Sequence, residues 1–194
     1  MATNNHEIEI KFKIDNPNLI RKILKREKMH FIGKAFEKTF RFDTTDKNLE
    51  QRGQFLRVRT GFKNVITFKR KIENKKFKER EEIELEISNP EKMMMILENL
   101  GFTKILIMEK YREKWRSDDI EIVIDRLPMG MFIEIEGEEK VIKEMVKTLG
   151  FDFKDRITGT YWDLWREFSK KENIKDENII FNSTLRRKNR DENP

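Results

Sequence analysis

The 194-residue sequence contains no cysteine and only two histidines, His6 and His30. The absence of cysteine excludes disulfides and thiolate metal sites, and it is compatible with a reducing compartment. With so few histidines, any metal site would have to be built from carboxylate oxygens. Such a site suits a hard cation, so Mg²⁺ or Mn²⁺ is the expected cofactor if there is one.

Long apolar runs are also lacking. No segment approaches the roughly 20 apolar residues that a membrane-spanning helix needs, and the opening residues MATNNHEI contain no apolar signal core. We therefore expect a cytoplasmic protein with no membrane partner. The length suits one domain with a core of its own.

Charge is abundant but nearly balanced. Charged residues make up 40% of the chain, with 42 Lys and Arg against 36 Asp and Glu, which leaves a formal net charge of +6. A small surplus of this kind suits an anionic partner, but it indicates interleaved acidic and basic rows rather than a plain nucleic-acid patch. A phosphate-containing ligand is therefore a better general expectation than DNA. We do not expect a nucleic-acid partner from this charge pattern.

Three segments alternate acidic and apolar residues and then run into a helix signal: EIEIKFKIDNP at 7–17, EIELEISNP at 82–90 and FIEIEGEEK at 132–140. Period-two alternation predicts a strand with one apolar face. In the first two segments, Asn16-Pro17 and Asn89-Pro90 place a capping side chain before a proline of the first helical turn. The helix patterns that follow the second and third segments are each followed by a glycine, Gly101 and Gly150, which predicts the C-terminus of a helix.

Other alternating strands are mainly basic, and together the strands present two families of charged residues on one parity. The acids are Glu7, Glu9, Glu82, Glu84, Asp125, Glu134 and Glu136, and the bases are Lys11, Arg57, Arg59, Lys69, Arg80, Lys110 and Arg112. On one interpretation this face is simply solvated, and its ion pairs contribute about 0 to 1 kcal/mol each. On the other, the strands curl into a barrel whose charged lumen holds a charged ligand, because many buried ions must be paired.

The order of these motifs resembles the CYTH or triphosphate tunnel metalloenzyme family, which includes class IV adenylate cyclases of the CyaB type, thiamine triphosphatases and inorganic triphosphatases. The resemblance covers about residues 6 to 165. It is carried by E-x-E-x-K at Glu7–Lys11, L-R-x-R at Leu56–Arg59, T-[YF]-K at Thr67–Lys69, R-x-E-x-E at Arg80–Glu84, K-x-R at Lys110–Arg112, a strand aspartate at Asp125 and F-x-E-I-E at Phe132–Glu136.

One segment departs from the family. Where the family often has Q-x-D-x-Y-F-D-T, this chain has Glu37 to Thr44, with Thr39 and Arg41 in place of the first acid and the tyrosine. The segment therefore lacks two of the family's residues, and no site role is assigned to it. Thr160-Tyr161 is similar to a C-terminal S-Y pair of the family, which leaves Tyr161 either near the site or packed beside the neighbouring tryptophans.

The resemblance implies an α+β fold, an eight-stranded antiparallel β-barrel open at both ends with helices packed on its outside. It implies a CYTH-like domain over residues 1–168, and we predict that residues 169–194 form a charged tail or extension. A homodimer is a family-based expectation. The implied ligand is a small-molecule triphosphate with Mg²⁺ or Mn²⁺.

The resemblance also implies roles for individual residues. Triphosphate binding is assigned to Lys11, Arg57, Arg59, Lys69, Arg80, Lys110 and Arg112. Metal binding is assigned to Glu7, Glu9, Asp125, Glu134 and Glu136, catalytic roles to Glu134, Glu136 and Lys69, and orienting or metal-binding roles to Glu82, Glu84 and Tyr161.

Three functions remain open at this stage. The favoured one is metal-dependent hydrolysis of inorganic triphosphate or of a nucleoside or thiamine triphosphate. The alternative is a class IV adenylate cyclase that converts ATP to cyclic AMP and pyrophosphate, because both reactions use the same tunnel. A non-enzymatic binder of polyphosphate or RNA would explain the cations but would leave the acidic pairs without a role.

Overall fold

The computed structural model describes residues 8–71 and 80–181, apart from the side chains of Lys71, Arg80 and Glu81. Its strands are β1 (Ile8–Ile14), β2 (His30–Asp43), β3 (Gln54–Thr60), β4 (Val65–Lys71), β5 (Arg80–Glu86), β6 (Thr103–Arg116), β7 (Ile120–Leu127) and β8 (Gly130–Gly137). Its α-helices are α1 (Pro17–Arg26), α2 (Asn48–Gln51), α3 (Pro90–Asn99), α4 (Glu139–Thr148) and α5 (Tyr161–Lys171), and a 3-10 turn covers Phe153–Asp155.

The eight strands belong to one sheet in the order β1-β8-β7-β6-β2-β3-β4-β5. The prediction of an α+β fold with eight antiparallel strands is confirmed, and this strand order fits the predicted tunnel fold. Strands β1 and β5 stand at the two ends of the order, so the hydrogen-bonded ladder of the described residues does not close between them.

The chain divides into two compact units. Among the described residues, unit 1 comprises those within Met1–Ala35 and Lys110–Pro194, and unit 2 comprises those within Phe36–Glu109. The long strands β2 and β6 each pass from one unit into the other. Each unit has its own apolar core.

The core of unit 1 is built from the apolar residues that alternate with charged ones along its strands. Ile133 and Ile135 of β8 and Ile122 of β7 are fully buried, and they belong to one cluster with Leu24 of α1 and Val146 of α4. Since successive strand residues point to opposite faces, this packing places the charged residues of β1, β7 and β8 on the other face of the sheet.

The core of unit 2 follows the same rule. Phe42 of β2 and Leu56 and Val58 of β3 pack with Leu97 of α3. The intervening residues of β2 and β3, which include Arg41 and Arg57, therefore lie on the face turned away from α3.

The predicted helix signals are confirmed. The side chain of Asn16 accepts a hydrogen bond from Leu19 N at 3.0 Å, and that of Asn89 accepts one from Lys92 N at 2.8 Å. Each satisfies a backbone donor that a helix N-terminus leaves free. Gly101 and Gly150 end α3 and α4 with φ of 89° and 79°, a conformation that favours glycine.

The predicted boundary between the domain and the tail falls inside α5, which continues to Lys171. Beyond the helix, Ile179 is fully buried, and Trp165 Nε1 donates to the carbonyl oxygen of Asp176 at 3.0 Å. The segment from 172 to 181 therefore packs within unit 1. No helix in the described part of the chain is both long and apolar enough to cross a membrane.

Asp43 provides a test of the unit 2 fold. Its buried carboxylate accepts from the backbone N–H groups of Thr44, Leu49 and Glu50 at 2.8, 2.9 and 3.0 Å. Replacing it in Asp43→Ala leaves these donors without their acceptor, so we expect a loss of about 1 to 3 kcal/mol in the free energy of unfolding. Urea unfolding measures this loss.

The matched control is Asp46→Ala in the same loop. Asp46 also accepts hydrogen bonds, from Thr44 Oγ1 and Asn48 Nδ2, but these bonds are exposed to solvent. Its replacement should lower stability much less. Equal losses for the two variants would show that the buried carboxylate has no special structural role.

Candidate active site

The charged face of unit 1 brings together six of the predicted site residues. They come from four strands and one helix: Lys11 of β1, Lys110 and Arg112 of β6, Asp125 of β7, Glu134 of β8 and Tyr161 of α5. We call this set the unit 1 cluster.

Asp125 is the centre of the unit 1 cluster. It is fully buried, and Arg112, opposite it in the β6–β7 register, forms a two-pronged contact with it. Arg112 Nε lies 2.7 Å from Asp125 Oδ1, and Arg112 Nη2 lies 2.6 Å from Oδ2. Lys110 Nζ and Tyr161 Oη also donate to Oδ2, each at 3.0 Å. Both oxygens of Asp125 are thus engaged by this chain's own donors.

Glu134 extends the network to β1. Its Oε2 accepts from Arg112 Nη2 at 2.6 Å, and its Oε1 lies 3.1 Å from Lys11 Nζ. Lys11 and Glu134 face each other directly in the β1–β8 register, which explains the short distance. Arg112 therefore bridges the two carboxylates and fixes their separation.

Tyr161 is positioned by the local structure at the start of α5. Thr160 and Asp163 form a reciprocal capping box there, and Ile157 N donates to the carbonyl oxygen of Lys11 at 2.8 Å. The segment before α5 is thereby attached to β1. The ring of Tyr161 lies 4.1 Å from Lys11 Nζ, so the phenol contacts an acid through its hydroxyl and a base through its face.

The electrostatics of the unit 1 cluster keep its acids ionised. Burial alone would raise the pKa of Asp125, but the charges of Arg112 and Lys110 outweigh it and hold that pKa well below its ordinary value. Burial opposes ionisation of Glu134 too, yet the charge of Arg112 keeps its pKa lowered. Burial and the charge of Asp125 raise the pKa of Tyr161 well above 10.0, so its hydroxyl remains a donor.

An acidic row crosses the same face of unit 1. Glu9 of β1 stands opposite Glu136 of β8, which in turn stands opposite Glu121 of β7. Glu121 pairs with Lys114 Nζ at 2.7 Å, and sequence reasoning assigned no role to either residue. Glu121 has the same strand parity as Asp125 on β7, and Lys114 has the same parity as Arg112 on β6, so the alternation pattern could have identified both.

Oxygen donors of this kind match the chemistry of a hard cation. However, no three acidic or histidine side chains among residues 8–71 and 80–181 come together as a metal-binding group. Glu7, a predicted ligand, lies outside the described residues. The metal roles of Glu7, Glu9, Asp125, Glu134 and Glu136 stay predictions.

The charged face of unit 2 carries a second group of predicted residues. We call Arg57, Arg59, Lys69, Glu82 and Glu84 the unit 2 cluster. Lys69 Nζ contacts Glu82 Oε2, and Arg59 Nη2 lies 3.5 Å from Glu84 Oε2.

Thr67 links the side chains of Arg57 and Glu84 in the unit 2 cluster. Arg57 Nε donates to Thr67 Oγ1 at 3.2 Å, and Thr67 Oγ1 donates to Glu84 Oε2 at 2.9 Å. Glu82 and Glu84 thus contact the bases of this cluster, and their orienting or metal-binding roles stay predictions. Arg80 belongs to β5, but its side chain lies outside the described residues.

Arg41 was not assigned to the site by the sequence analysis, yet it lies on this same face. It stands directly opposite Arg57 in the β2–β3 register. The alternation of Thr39, Arg41 and Asp43 with Phe40 and Phe42 is the signal in the sequence that could have found it.

Comparison with known proteins decides the family. A model of the CYTH domain matches residues 5–161. The Methanocaldococcus jannaschii protein named "Putative adenylate cyclase MJ0240" is 36% identical over 152 residues, and the match covers 74% of this chain and 87% of that protein. The chain belongs to the CYTH family.

Solved structures agree with this CYTH fold. The PH1012 protein of Pyrococcus horikoshii has a TM-score of 0.67 at 25% identity, covering 80% of this chain and 96% of that one. The Hippeastrum protein named "Putative adenylyl cyclase HpAC1", which is described as having a dominant triphosphatase activity, has a TM-score of 0.60 at 20% identity. That match covers 84% of this chain and 96% of HpAC1.

The pKa values of the unit 1 cluster predict a pH dependence of stability. Since the folded pKa of Asp125 and of Glu134 is lowered, their contribution is complete above their ordinary values of 3.8 and 4.5. As the pH falls below 4.5, the unfolded chain takes up protons before the folded one, so the free energy of unfolding should decrease. Asp125→Asn removes one such group and should make this decrease shallower.

At pH 7, Asp125→Asn leaves Lys110 and Arg112 with one negative partner fewer. We expect it to lower the free energy of unfolding by about 3 to 5 kcal/mol, as for other broken buried ion pairs. Urea titrations between pH 7 and pH 3 measure both effects, with the exposed Asp119→Asn of the same unit as control. Parallel pH profiles for wild type and Asp125→Asn would contradict the assignment.

Proposed function

We propose that the protein is a divalent-metal-dependent triphosphatase that hydrolyses a short triphosphate. The observation that carries this proposal is the unit 1 cluster, in which three cations, Lys11, Lys110 and Arg112, are buried around two carboxylates. The side chains of all five residues are at most 13% exposed. The cluster therefore carries a positive surplus in surroundings of low polarity, where it attracts a polyanion more strongly than it would in water.

The unit 2 cluster supports the same substrate class. Arg57, Arg59 and Lys69 are only 17%, 20% and 25% exposed, and Glu82 and Glu84 hold them in place. Arginine binds phosphate oxygens through two parallel N–H groups and lysine binds them as a point charge, so both types suit a phosphate chain. Arg80 keeps its predicted phosphate role as part of the proposal.

Mg²⁺ or Mn²⁺ is the proposed cofactor, because carboxylates are the ligands that such hard cations prefer. We propose Glu9 and Glu136, together with Glu7, as its first ligands. Asp125 and Glu134 already accept from cations of the chain, so they would reach a metal only if those contacts rearranged. When bound, the metal would neutralise phosphate charge and lower the pKa of a water molecule.

The residues of the chain would then act by positioning and by charge. Phosphoryl transfer needs little covalent chemistry from a protein, so fixed cations that meet the charge on the transferring and leaving groups supply much of the catalysis. Arg112 and Lys11 are held by Glu134, and Lys110 is held by Asp125, before any substrate arrives. Lys69 is proposed to contact the leaving phosphate group. Glu136 is proposed to have a catalytic role next to the metal that it helps to bind.

Hydrolysis is favoured over cyclisation because two aromatic side chains that could stack a base, Trp115 and Phe55, are already engaged by other residues of the chain. Trp115 is 3% exposed and donates to Glu113 Oε1 at 2.8 Å within the core of unit 1, so it cannot stack a nucleobase. Phe55 packs against the guanidinium of Arg41. The clusters themselves are built almost wholly from charged groups, which recognise phosphate rather than adenine.

Adenylate cyclase activity is the second candidate, because the M. jannaschii relative carries that name. In that reaction the ribose 3′-hydroxyl of ATP attacks the α-phosphorus and pyrophosphate leaves, and the same cations would serve. HpAC1 shares the fold and has a dominant triphosphatase activity despite its name, so a cyclase name alone does not decide the reaction.

Product analysis separates these reactions. Purified protein is incubated with Mg²⁺ or Mn²⁺ and with tripolyphosphate, ATP or thiamine triphosphate, and free phosphate, pyrophosphate and cyclic AMP are assayed. We expect phosphate from tripolyphosphate as the main product. Cyclic AMP with pyrophosphate as the main products would instead establish the cyclase. No product with either metal, together with polyphosphate or RNA binding that survives EDTA, would refute both enzymes.

Glu9→Gln tests the metal proposal. Glu9 is exposed and faces another acid, so its neutral amide should leave the melting temperature of the ligand-free protein unchanged. Loss of a metal ligand should lower kcat/KM by about tenfold or more, since metal contacts supply several kcal/mol of transition-state stabilisation. Glu144→Gln, on the exposed surface of α4, is the control. Wild-type turnover in Glu9→Gln would show that this carboxylate is a solvated surface group and not a metal ligand.

A further inference from the structure

Arg41 of unit 2 differs from the other arginines of its face in how it is paired. Its side chain is 13% exposed, and its Nε is buried without a hydrogen-bond partner among the described residues. Its ion pair is with Glu50 of α2, at 3.8 Å from Arg41 Nη2, which is beyond hydrogen-bond distance. Glu50 is itself 52% exposed, so solvent weakens this attraction.

The position of Arg41 adds a second electrostatic cost. Arg41 and Arg57 occupy directly opposite positions of β2 and β3, on the face turned away from α3. Like charges in such cross-strand pairs destabilise a sheet. The guanidinium also contacts the Phe55 ring at 5.1 Å from its centroid, which orients it but supplies no acceptor. A buried donor that has no acceptor and a like-charged neighbour is costly for the fold alone.

A phosphate group would remove both costs. Its oxygens accept from N–H groups of guanidinium, and its negative charge screens one arginine from the next. We propose that Arg41 is a further substrate-binding residue of the unit 2 cluster, which contacts a phosphate of the triphosphate beside Arg57. This inference rests on the proposed function. It adds a cation at the position where the family's segment often has a tyrosine, so it concerns this chain in particular.

The test compares Arg41→Met with wild type in the metal-free full chain, where binding is measured without turnover. Tripolyphosphate is titrated by calorimetry, and the melting temperature is recorded with and without it. We expect affinity for tripolyphosphate to fall by about tenfold or more, as for a lost charge-assisted hydrogen bond. Without ligand, Arg41→Met should melt no lower than wild type, because it removes the repulsion by Arg57 and the unsatisfied Nε.

Two matched variants complete the experiment. Arg52→Met removes the same charge from an exposed position of unit 2 and should leave affinity unchanged. Arg41→Gln keeps a polar side chain without the charge and should show the same loss as Arg41→Met, which preserves the test if the methionine variant folds poorly. Wild-type affinity in both Arg41 variants, with a lowered melting temperature, would assign Arg41 to the fold and overturn the inference.

ATP distinguishes a phosphate contact from a base contact. Since the proposed contact is with phosphate, affinity for ATP should fall by a factor similar to that for tripolyphosphate. A loss confined to ATP would overturn the inference and place the nucleobase on Arg41 and Phe55. If wild type binds and hydrolyses no triphosphate, the proposed function fails as well. Normal wild-type activity with unaffected Arg41 variants overturns the inference alone.

Discussion

The burial of Asp125 is the constraint on which the charged face of unit 1 depends. A carboxylate at 0% exposure is tolerated only if its charge is compensated and its lone pairs are used. Arg112, Lys110 and Tyr161 meet this requirement by donating to Asp125. Arg112 also donates to Glu134 and so compensates part of the charge of that second acid. Because removing one partner would leave the others as buried charges, the positions of four strands and α5 are coupled through this acid.

This coupling bears on function as well as on stability. Side chains that are held before a ligand arrives need little reorganisation when charge develops in a reaction, which is the physical basis of electrostatic catalysis. In unit 2, Thr67 and Glu84 restrain Arg57 in the same manner, although the groups there are more exposed. Acids therefore serve in both units as supports for cations, a role that requires no metal.

The fold and the membership of the charged faces could be predicted from the sequence because strand parity is a local property. Glu134 and Asp125 could be named from alternation and motif order, and Asn16 and Asn89 from their position before proline. Their contacts could not be predicted, since the Arg112–Asp125 pair depends on the β6–β7 register and the Tyr161 contact on the path into α5. Arg41 is a different case: strand alternation places it on this face, but the family's motif often has a tyrosine at its position and so does not indicate a cation there.

Two places on these faces violate the rule that opposite charges should stand across from each other. In unit 1, Glu9 stands opposite Glu136 and Glu136 opposite Glu121, although Glu121 also pairs with Lys114 and Arg116 of β6. In unit 2, Arg41 stands opposite Arg57. Natural sequences keep such local conflicts where function offsets their cost in stability. The acidic row favours a bound cation, and the arginine pair favours a bound anion. The proposed substrate class, a metal complex of a triphosphate, carries charges of both signs, so each conflict taken by itself is consistent with that proposal.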